Sequence, residues 1–166
     1  MYYFISEINY SRLKNLNKNI SLIWRNKNKE TPIKTLIELR NFCNKNNKRL
    51  YINNNIKLAN KIKADGLYIS SYNKDLMLKS NKLKKKFKIL GSAHNLKEIK
   101  IKELQNVDEI FLSPLFKDKT NEHLDIYKYF NLRKTTKMKD ISLGGINKKN
   151  IKKLRLIKPF GFAGIS

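Results

Sequence analysis

Two strand ends near the C-terminus carry the residues best suited to bind an anion. Each of two short apolar runs is followed by small residues: Ile141–Leu143 by Gly144 and Gly145, and Phe160–Ala163 by Gly164, Ile165 and Ser166. Because glycine lacks a Cβ atom, backbone N–H groups at such ends can approach a ligand closely. Two such ends in succession indicate a phosphate site. The alternative that the residues leave open is that these glycines only turn the chain.

Short apolar segments alternate with longer amphipathic ones along the whole chain. The predicted strands are Tyr2–Ser6, Ile20–Arg25, Leu50–Asn53, Gly66–Ser70, Lys88–Ser92, Glu109–Ser113, Ile141–Leu143 and Phe160–Ala163. The predicted helices are Thr31–Asn46, Ile56–Ile62, Leu76–Leu83, a segment from Leu96 to Leu104, and Ile151–Leu156. Asn95 and Asn147 are the predicted N-caps of the last two, because an asparagine side chain accepts backbone N–H bonds there.

A repeated strand-then-helix order predicts a parallel sheet with crossover helices. Eight strands favour a compact (β/α)8 barrel of the TIM type over an open sheet, and the loops after strands 7 and 8 of such barrels commonly bind phosphate. The sequence stops directly after the eighth strand, so we expect the last helix to be absent. No linker divides the chain, and residues 1–166 are predicted to form a single domain.

The charge is strongly positive, with 37 Lys and Arg against 13 Asp and Glu and a pI near 10.1. Such a balance is typical of nucleic-acid binders. Here the lysines recur along the whole chain among asparagine and isoleucine, no nucleic-acid motif is present, and we interpret the charge as a compositional bias. No run of about 18 apolar residues suggests a membrane span. The N-terminus does not resemble a signal peptide. The single cysteine, Cys43, allows no internal disulfide and is expected to pack on a helix face. Because a chain without disulfides fits a reducing compartment, a cytoplasmic location is predicted.

Four segments in order resemble the thiamine phosphate synthase family, which includes thiazole tautomerase-like relatives. They are LYINNNIKLANKIKADGLYIS, ILGSAHNLKEI, VDEIFLSPLFKDKT and ISLGGINKKNI followed by GFAGIS. The resemblance implies a (β/α)8 barrel and a transferase of thiamine biosynthesis. That transferase joins hydroxymethylpyrimidine diphosphate to thiazole phosphate and releases pyrophosphate. The tautomerase relatives use a histidine near the end of strand 6, where this chain has Pro114, so the resemblance favours the synthase.

The resemblance also implies roles for particular residues. Those that match the family's catalytic positions are Arg25, Lys27, Asn53 and Ser92. Those that match its substrate-binding positions, chiefly for the thiazole phosphate, are Thr120, Lys119, Gly144, Gly145, Gly164, Ile165 and Ser166. Pro114 and Phe116 match the loop after strand 6. His94 belongs to the Ser-x-His pattern after strand 5 and is expected at a helix start rather than as a base.

Several positions depart from the family pattern. Asn54 and Asn73 stand where the family holds Mg²⁺ with two aspartates, so the resemblance implies Mg²⁺ while these residues argue against it. Ile23 replaces a glutamine that would meet the pyrimidine. In the strand-6 loop, Asp118 replaces a threonine and Asn121 a lysine, for which Lys119 is a stand-in.

Two functions therefore remain in competition. The first is the transferase; the second is a catalytically degenerate family member that binds phosphate and serves a binding or regulatory role in thiamine metabolism. We also predict that some of Phe160, Phe162, Tyr2 and Phe4 point outward on strands 8 and 1, where no last helix covers them. Exposed apolar surface is usually covered by a partner, so either a homodimer or a further segment of the chain beyond Ser166 is expected to cover it.

Overall fold

The computed structural model is a closed barrel of eight parallel strands. It describes residues 1–26, 31–81, 87–117, 123–147 and 149–165. The strands are β1 (Tyr2–Ile5), β2 (Ser21–Trp24), β3 (Leu50–Asn53), β4 (Gly66–Ile69), β5 (Lys88–Ala93), β6 (Glu109–Leu112), β7 (Lys139–Ser142) and β8 (Gly161–Ile165). Each strand pairs with its neighbours in chain order, and β1 closes the barrel by pairing Tyr2 with Ala163 of β8. The predicted (β/α)8 fold is thus confirmed.

The interior of the barrel is filled by aromatic side chains. Tyr2, Phe4, Tyr68 and Phe111 pack edge to face, with ring centroids 5.0–5.9 Å apart. Edge-to-face packing places the positive ring edge on the negative face of the next ring. Because side chains alternate along a strand, Tyr2 and Phe4 point inward while Tyr3 points outward. Of the four aromatic residues of which some were predicted to point outward, Tyr2 and Phe4 are thus interior, and the outward ones are Phe160 and Phe162.

Helices cover the outside of the barrel between the strands. They are α1 (Tyr10–Asn15), α2 (Ile33–Lys45), α3 (Ile56–Lys61), α4 (Leu96–Leu104), α5 (Asp125–Lys134) and α6 (Leu154–Ile157), with 3₁₀ turns at Leu76–Asn81 and Ile151–Lys153. Asn9, Asn55 and Asn95 cap α1, α3 and α4 by accepting a backbone N–H. The described helices contain none long and apolar enough to cross a membrane.

Two helical predictions need correction, and helices α1 and α5 were not predicted. The segment Leu76–Leu83, predicted as a helix, forms a 3₁₀ turn over Leu76–Asn81, and its last two residues lie outside the described ranges. Asn147 is not the N-cap of the helix after β7, because the 3₁₀ turn begins at Ile151 after Asn150. The Asn147 side chain instead accepts the backbone N–H groups of residues 149 and 150, at 2.9 and 3.3 Å. It therefore closes a turn that precedes the helix.

The outer core lies between the helices and the strands. Leu36, Leu39 and Cys43 of α2 are fully buried against it, which confirms that Cys43 packs on a helix face. Burial raises the pKa of the Cys43 thiol to about 12, so the thiol is protonated and unreactive at neutral pH. On the outside of β8, Phe162 is half-buried and Phe160 is 57% exposed, with the Lys139 ammonium 4.5 Å from its ring centroid.

Candidate active site

A cavity of about 250 Å³ lies at the C-terminal ends of β2 to β7. The active sites of (β/α)8 enzymes lie at this end of the barrel, in the loops that follow the strands. The cavity is lined almost entirely by polar side chains: Arg25, Asn53, Tyr68, Ser70, Ser71, Tyr72, Ser92, His94 and Ser113, with Leu143 at its edge. Hydroxyl, amide and guanidinium groups from five strands or their loops thus converge on one small space.

Three of the four residues predicted to be catalytic line this cavity together. Arg25 directly follows β2, Asn53 ends β3 and Ser92 lies in β5. The Arg25 guanidinium lies over the ring of Phe4, 5.4 Å from its centroid, and this cation–π contact holds the charge at the rim of the barrel interior. The fourth residue, Lys27, lies outside the described residues, as do Lys119, Thr120 and Ser166.

The Asn53–Asn54 pair is tied to the loop that follows β4. The Ser70 hydroxyl donates to Asn53 Oδ1 at 2.8 Å, and the Ser70 backbone N–H donates to Asn54 Oδ1 at 2.9 Å. Asn54 Nδ2 in turn donates to the Tyr72 hydroxyl at 3.0 Å. Asn54 adopts a left-handed φ of 53°, which asparagine tolerates better than most residues. Its side chain therefore joins two loops instead of pointing freely into the cavity.

The described residues do not fit the metal that the family resemblance implies. Asn73 Oδ1 accepts the backbone N–H of Asp75 at 2.9 Å, and Asn54 Oδ1 accepts that of Ser70. Neither asparagine offers a charge, whereas Mg²⁺ is normally held by one or two carboxylates together with substrate phosphates. Over the described ranges, no group of three or more His, Cys, Asp or Glu side chains could hold a metal ion.

His94 connects three consecutive strand ends, which the sequence analysis did not foresee. Its Nδ1 lies 2.7 Å from the Ser113 carbonyl oxygen and its Nε2 lies 3.0 Å from the Ser71 hydroxyl. A carbonyl only accepts, so Nδ1 carries the proton and Nε2 accepts from Ser71 in the neutral ring. His94 also directly precedes the Asn95 cap of α4, as expected, and its backbone N–H donates to Glu98 Oε2 at 2.7 Å.

Tyr68 is a further cavity residue that was not predicted, as are Ser70, Ser71, Tyr72 and Ser113. Its ring is buried in the barrel interior, and its hydroxyl lies beside Arg25 and Ser92. Burial raises the pKa of Tyr68, and Ser92 and Arg25 only partly oppose that effect. The phenol is therefore a protonated hydrogen-bond donor at the cavity floor. The only indication of Tyr68 in the sequence was its place in the predicted strand. Tyr68 is the second-to-last residue of β4, and its side chain points into the barrel interior near the C-terminal end.

Gly144 and Gly145 follow Leu143 at the edge of the cavity and adopt positive φ angles of 94° and 66°. A Cβ atom at Gly144 would lie 2.7 Å from Pro114, and one at Gly145 would lie 2.4 Å from the Phe116 carbonyl oxygen. Both glycines therefore allow the β7 loop to pack on the β6 loop. The Gly145 carbonyl accepts from Asn150 Nδ2 at 2.7 Å, which fixes its peptide orientation.

Gly164 has a packing reason of its own. A Cβ atom there would lie 3.2 Å from the ring of Tyr3, which points outward from β1. The glycine therefore leaves room for an aromatic ring on the outer face, and its presence does not by itself indicate a ligand. Ile165 is the last residue of β8 and pairs with Phe4.

The fold and the cavity define a (β/α)8 barrel protein with a small polar cavity at the C-terminal end of its strands. The sequence model of the thiamine monophosphate synthase family matches residues 13–166, and the chain belongs to this family. It is 32% identical over 138 residues to a thiamine-phosphate synthase of Prochlorococcus marinus strain SARG, covering 76% of this chain and 39% of that protein.

A thiamine-phosphate synthase of Pelagibacter ubique strain HTCC1062 is 30% identical over 151 residues, covering 85% of this chain and 71% of that protein. The chain thus spans less than half the length of the Prochlorococcus relative. The structure resembles thiamine phosphate pyrophosphorylase from Pyrococcus furiosus with a TM-score of 0.76 at 17% identity, covering 99% of this chain and 85% of that one. The structure also resembles citrate synthase SbnG, with a TM-score of 0.70 at 10% identity, covering 99% of this chain and 85% of that one. At such identities the likeness concerns the fold alone.

Proposed function

We propose that this chain is a thiamine phosphate synthase-like transferase that joins hydroxymethylpyrimidine diphosphate to thiazole phosphate. The observation that carries the proposal is the convergence of Arg25, Asn53 and Ser92 on one cavity at the C-terminal end of the barrel. Membership of the family supplies the reaction class, and the polar lining of the cavity suits two phosphorylated heterocycles better than an apolar ligand.

The reaction would break the bond between the pyrimidine methylene carbon and the diphosphate oxygen. The electron pair leaves with pyrophosphate, and a ring atom of the thiazole forms the new bond to the methylene. Negative charge therefore grows on the leaving group while positive charge grows on the pyrimidine. The Arg25 guanidinium can bind the diphosphate with two parallel N–H bonds, which is the electrostatic stabilisation that such a transition state needs.

The other cavity residues would orient the pyrimidine and hold the second substrate. Asn53 and Ser92 offer amide and hydroxyl groups to the ring, and Tyr68 offers a protonated phenol between Arg25 and Ser92. Backbone N–H groups at Gly144 and Gly145 would receive the thiazole phosphate. The formal charge of +24 adds a general attraction for both anionic substrates.

The two candidate functions differ in their need for magnesium. The side-chain oxygens of Asn54 and Asn73 carry no charge and already accept backbone N–H groups. This observation favours the second candidate function, in which the cavity binds phosphorylated thiamine precursors without joining them. Both candidates predict phosphate binding, and only the first predicts turnover.

The test combines a coupling assay with calorimetric titration of thiazole phosphate and pyrophosphate, each with and without Mg²⁺. Formation of thiamine phosphate that is lost in Arg25→Gln supports the transferase. Binding of thiazole phosphate without turnover supports the second candidate, and binding of neither ligand contradicts both. The matched control is Arg12→Gln, because the Arg12 guanidinium also lies over an aromatic ring, 5.7 Å from that of Tyr3, but on the outer face.

A further inference from the structure

Two polar side chains at the C-terminal end of α4, Lys102 in its last turn and Gln105 directly after it, are fully buried beneath the loop that follows β4. Lys102 and Gln105 are each 0% exposed. The Lys102 ammonium donates to the Asn73 carbonyl at 2.8 Å and to Gln105 Oε1 at 2.9 Å. The Gln105 amide donates to the same Asn73 carbonyl at 3.1 Å and to the Asp75 carbonyl at 3.0 Å. Two side chains thus satisfy the carbonyls of one short loop.

Burying a lysine is costly, because its charge loses the stabilisation that water provides. Burial lowers the pKa of Lys102 to about 8, with the Glu98 carboxylate partly opposing that effect. The hydrogen-bond partners recorded for its ammonium are neutral oxygens. The barrel also makes space for the side chain, since a Cβ atom at Gly91 of β5 would lie 2.9 Å from Lys102 Cδ.

The loop that these residues hold forms one wall of the cavity. It carries Ser70, which contacts both Asn53 and Asn54, Ser71, which contacts His94, and Tyr72, which contacts Asn54. A displacement of the Asn73 and Asp75 carbonyls would move all three residues together. Nothing else described in the structure links α4 to the side chains of the cavity in this way except His94 at its N-terminal end.

We propose that Lys102 and Gln105 are positioning residues, which fix the β4 loop from below and thereby set the geometry of the cavity wall. They act on the ligand only through Ser70, Ser71 and Tyr72. The effect on ligand affinity rests on the function proposed above, whereas the effect on the loop does not. The competing explanation is that the pair simply stabilises the whole barrel.

The variant that separates these explanations is Gln105→Glu. The carboxylate keeps the size of the side chain and its bond to Lys102. It replaces the two donated hydrogen bonds with an acceptor that faces two carbonyl oxygens, which repels them. The control is Asn106→Asp, which adds the same charge one residue later on an exposed side chain. Lys102→Met is a second variant, should Gln105→Glu fail to fold.

The primary measurement is amide hydrogen exchange. Within the loop, the N–H groups of Ser70, Asn73, Asp75 and Met77 are hydrogen-bonded. In Gln105→Glu, we expect these amides to exchange at least about tenfold faster, with the barrel strands unchanged. The His94 imidazole ¹⁵N signals should also shift, because Nε2 receives the Ser71 hydroxyl. Neither change is expected in Asn106→Asp.

Ligand binding supplies the second measurement. Affinity for thiazole phosphate or pyrophosphate should fall in Gln105→Glu while the melting temperature stays within a few degrees of the parent. Unchanged loop exchange, or exchange that rises equally in all strands, would overturn the proposal. So would faster loop exchange with unchanged His94 signals. If the parent binds neither ligand, the proposed function fails, and loop exchange together with the His94 signals still decides the role of the pair.

Discussion

The side chain of Tyr68 separates two roles that a buried tyrosine can have in this barrel. Tyr68 and Tyr51 both point into the interior, but only Tyr68 lines the cavity. The Tyr51 hydroxyl is buried and makes no hydrogen bond of ordinary geometry with the described residues. Burial raises its pKa to about 12, and the nearby Arg49 partly opposes that effect. Only the Tyr68 hydroxyl is therefore placed to contact a ligand in the cavity.

Tyr68→Phe should weaken binding of the pyrimidine substrate or pyrophosphate about fivefold, because a typical hydrogen bond contributes about 1 kcal/mol net. Tyr51→Phe, the matched control, should leave binding unchanged, since its hydroxyl lies in the barrel interior and does not line the cavity. Calorimetric titration and chemical denaturation of the two variants provide the comparison. Equal effects of both substitutions on binding would show that the Tyr68 hydroxyl does not face the ligand.

The family resemblance implies that Asn54 and Asn73 stand where aspartates would hold a dication. For a dication at about 4 Å and an effective dielectric constant near 20, each carboxylate that is absent forgoes about 8 kcal/mol of gross attraction, twice the value for two unit charges. The local hydrogen bonds tolerate aspartate at both positions, because each Oδ1 acts as an acceptor and the Tyr72 hydroxyl can donate instead of accept. We therefore expect Asn54→Asp with Asn73→Asp to increase both activity and its dependence on Mg²⁺.

A Mg²⁺ titration of thiamine phosphate formation measures this effect. The control is Asn55→Asp with Asn95→Asp, which adds two charges at helix caps that already accept backbone N–H groups. That pair should not change the metal dependence. Full activity of the parent at ordinary Mg²⁺ concentrations would contradict the interpretation of these two positions.

At the scale of elements, α5 is joined to the barrel by a buried polar network. The Tyr129 hydroxyl donates to Asp140 Oδ2 of β7 at 2.9 Å and accepts from the Ser142 hydroxyl at 2.9 Å. Arg133 of the same helix lies 3.3 Å from Asp140 Oδ1. Tyr129 is fully buried and Asp140 is 4% exposed, so the network carries a buried charge that depends on its partners.

Tyr129→Phe should lower the free energy of unfolding by about 1–3 kcal/mol, because it leaves a buried carboxylate without one of its donors. For a chain of this size, that corresponds to roughly 2–4 °C in the melting temperature per kcal/mol. Tyr127→Phe is the control on the same helix, since Tyr127 is 83% exposed and its substitution should have no effect. A small loss in Tyr129→Phe, similar to that of the control, would mean that water replaces the phenol.

At the scale of the whole molecule, the outer surface of the barrel exposes several large apolar side chains. Phe160, which directly precedes β8, is 57% exposed, and Leu156 of α6 is 72% exposed. Exposed apolar side chains mark an interaction site when they form a contiguous patch. Self-association of the chain through this face stays a prediction.

We expect the parent to sediment as a dimer and Phe160→Glu to sediment as a monomer with an unchanged fold. Met77→Glu is the control, because Met77 is 75% exposed on the 3₁₀ turn after β4 and its substitution should leave the dimer intact. Sedimentation velocity at several protein concentrations distinguishes the outcomes. A parent that remains monomeric at all concentrations would remove the basis for this interface.

Several features of this protein follow from the sequence alone. The strand positions were predicted to within about two residues because apolar periodicity is a local property of the chain. Arg25, Asn53 and Ser92 were expected at the site because their segments resemble the family's, and the carboxyl ends of parallel strands in a closed barrel lie at one end. The Asn95 cap of α4 was predicted correctly for the same reason as the strands, since its partner Glu98 is only three residues away.

Other features were decided only by the tertiary structure. The contact of Lys102 and Gln105 with Asn73 joins residues about thirty positions apart in sequence, and no local pattern distinguishes a buried lysine among 37 basic residues. The inward direction of Tyr2 and Phe4 depended on the register between β1 and its neighbours. Gly164 accommodates the Tyr3 ring of another strand. Each of these depends on which side chains the closed barrel brings into contact, and periodicity along one segment does not contain that information.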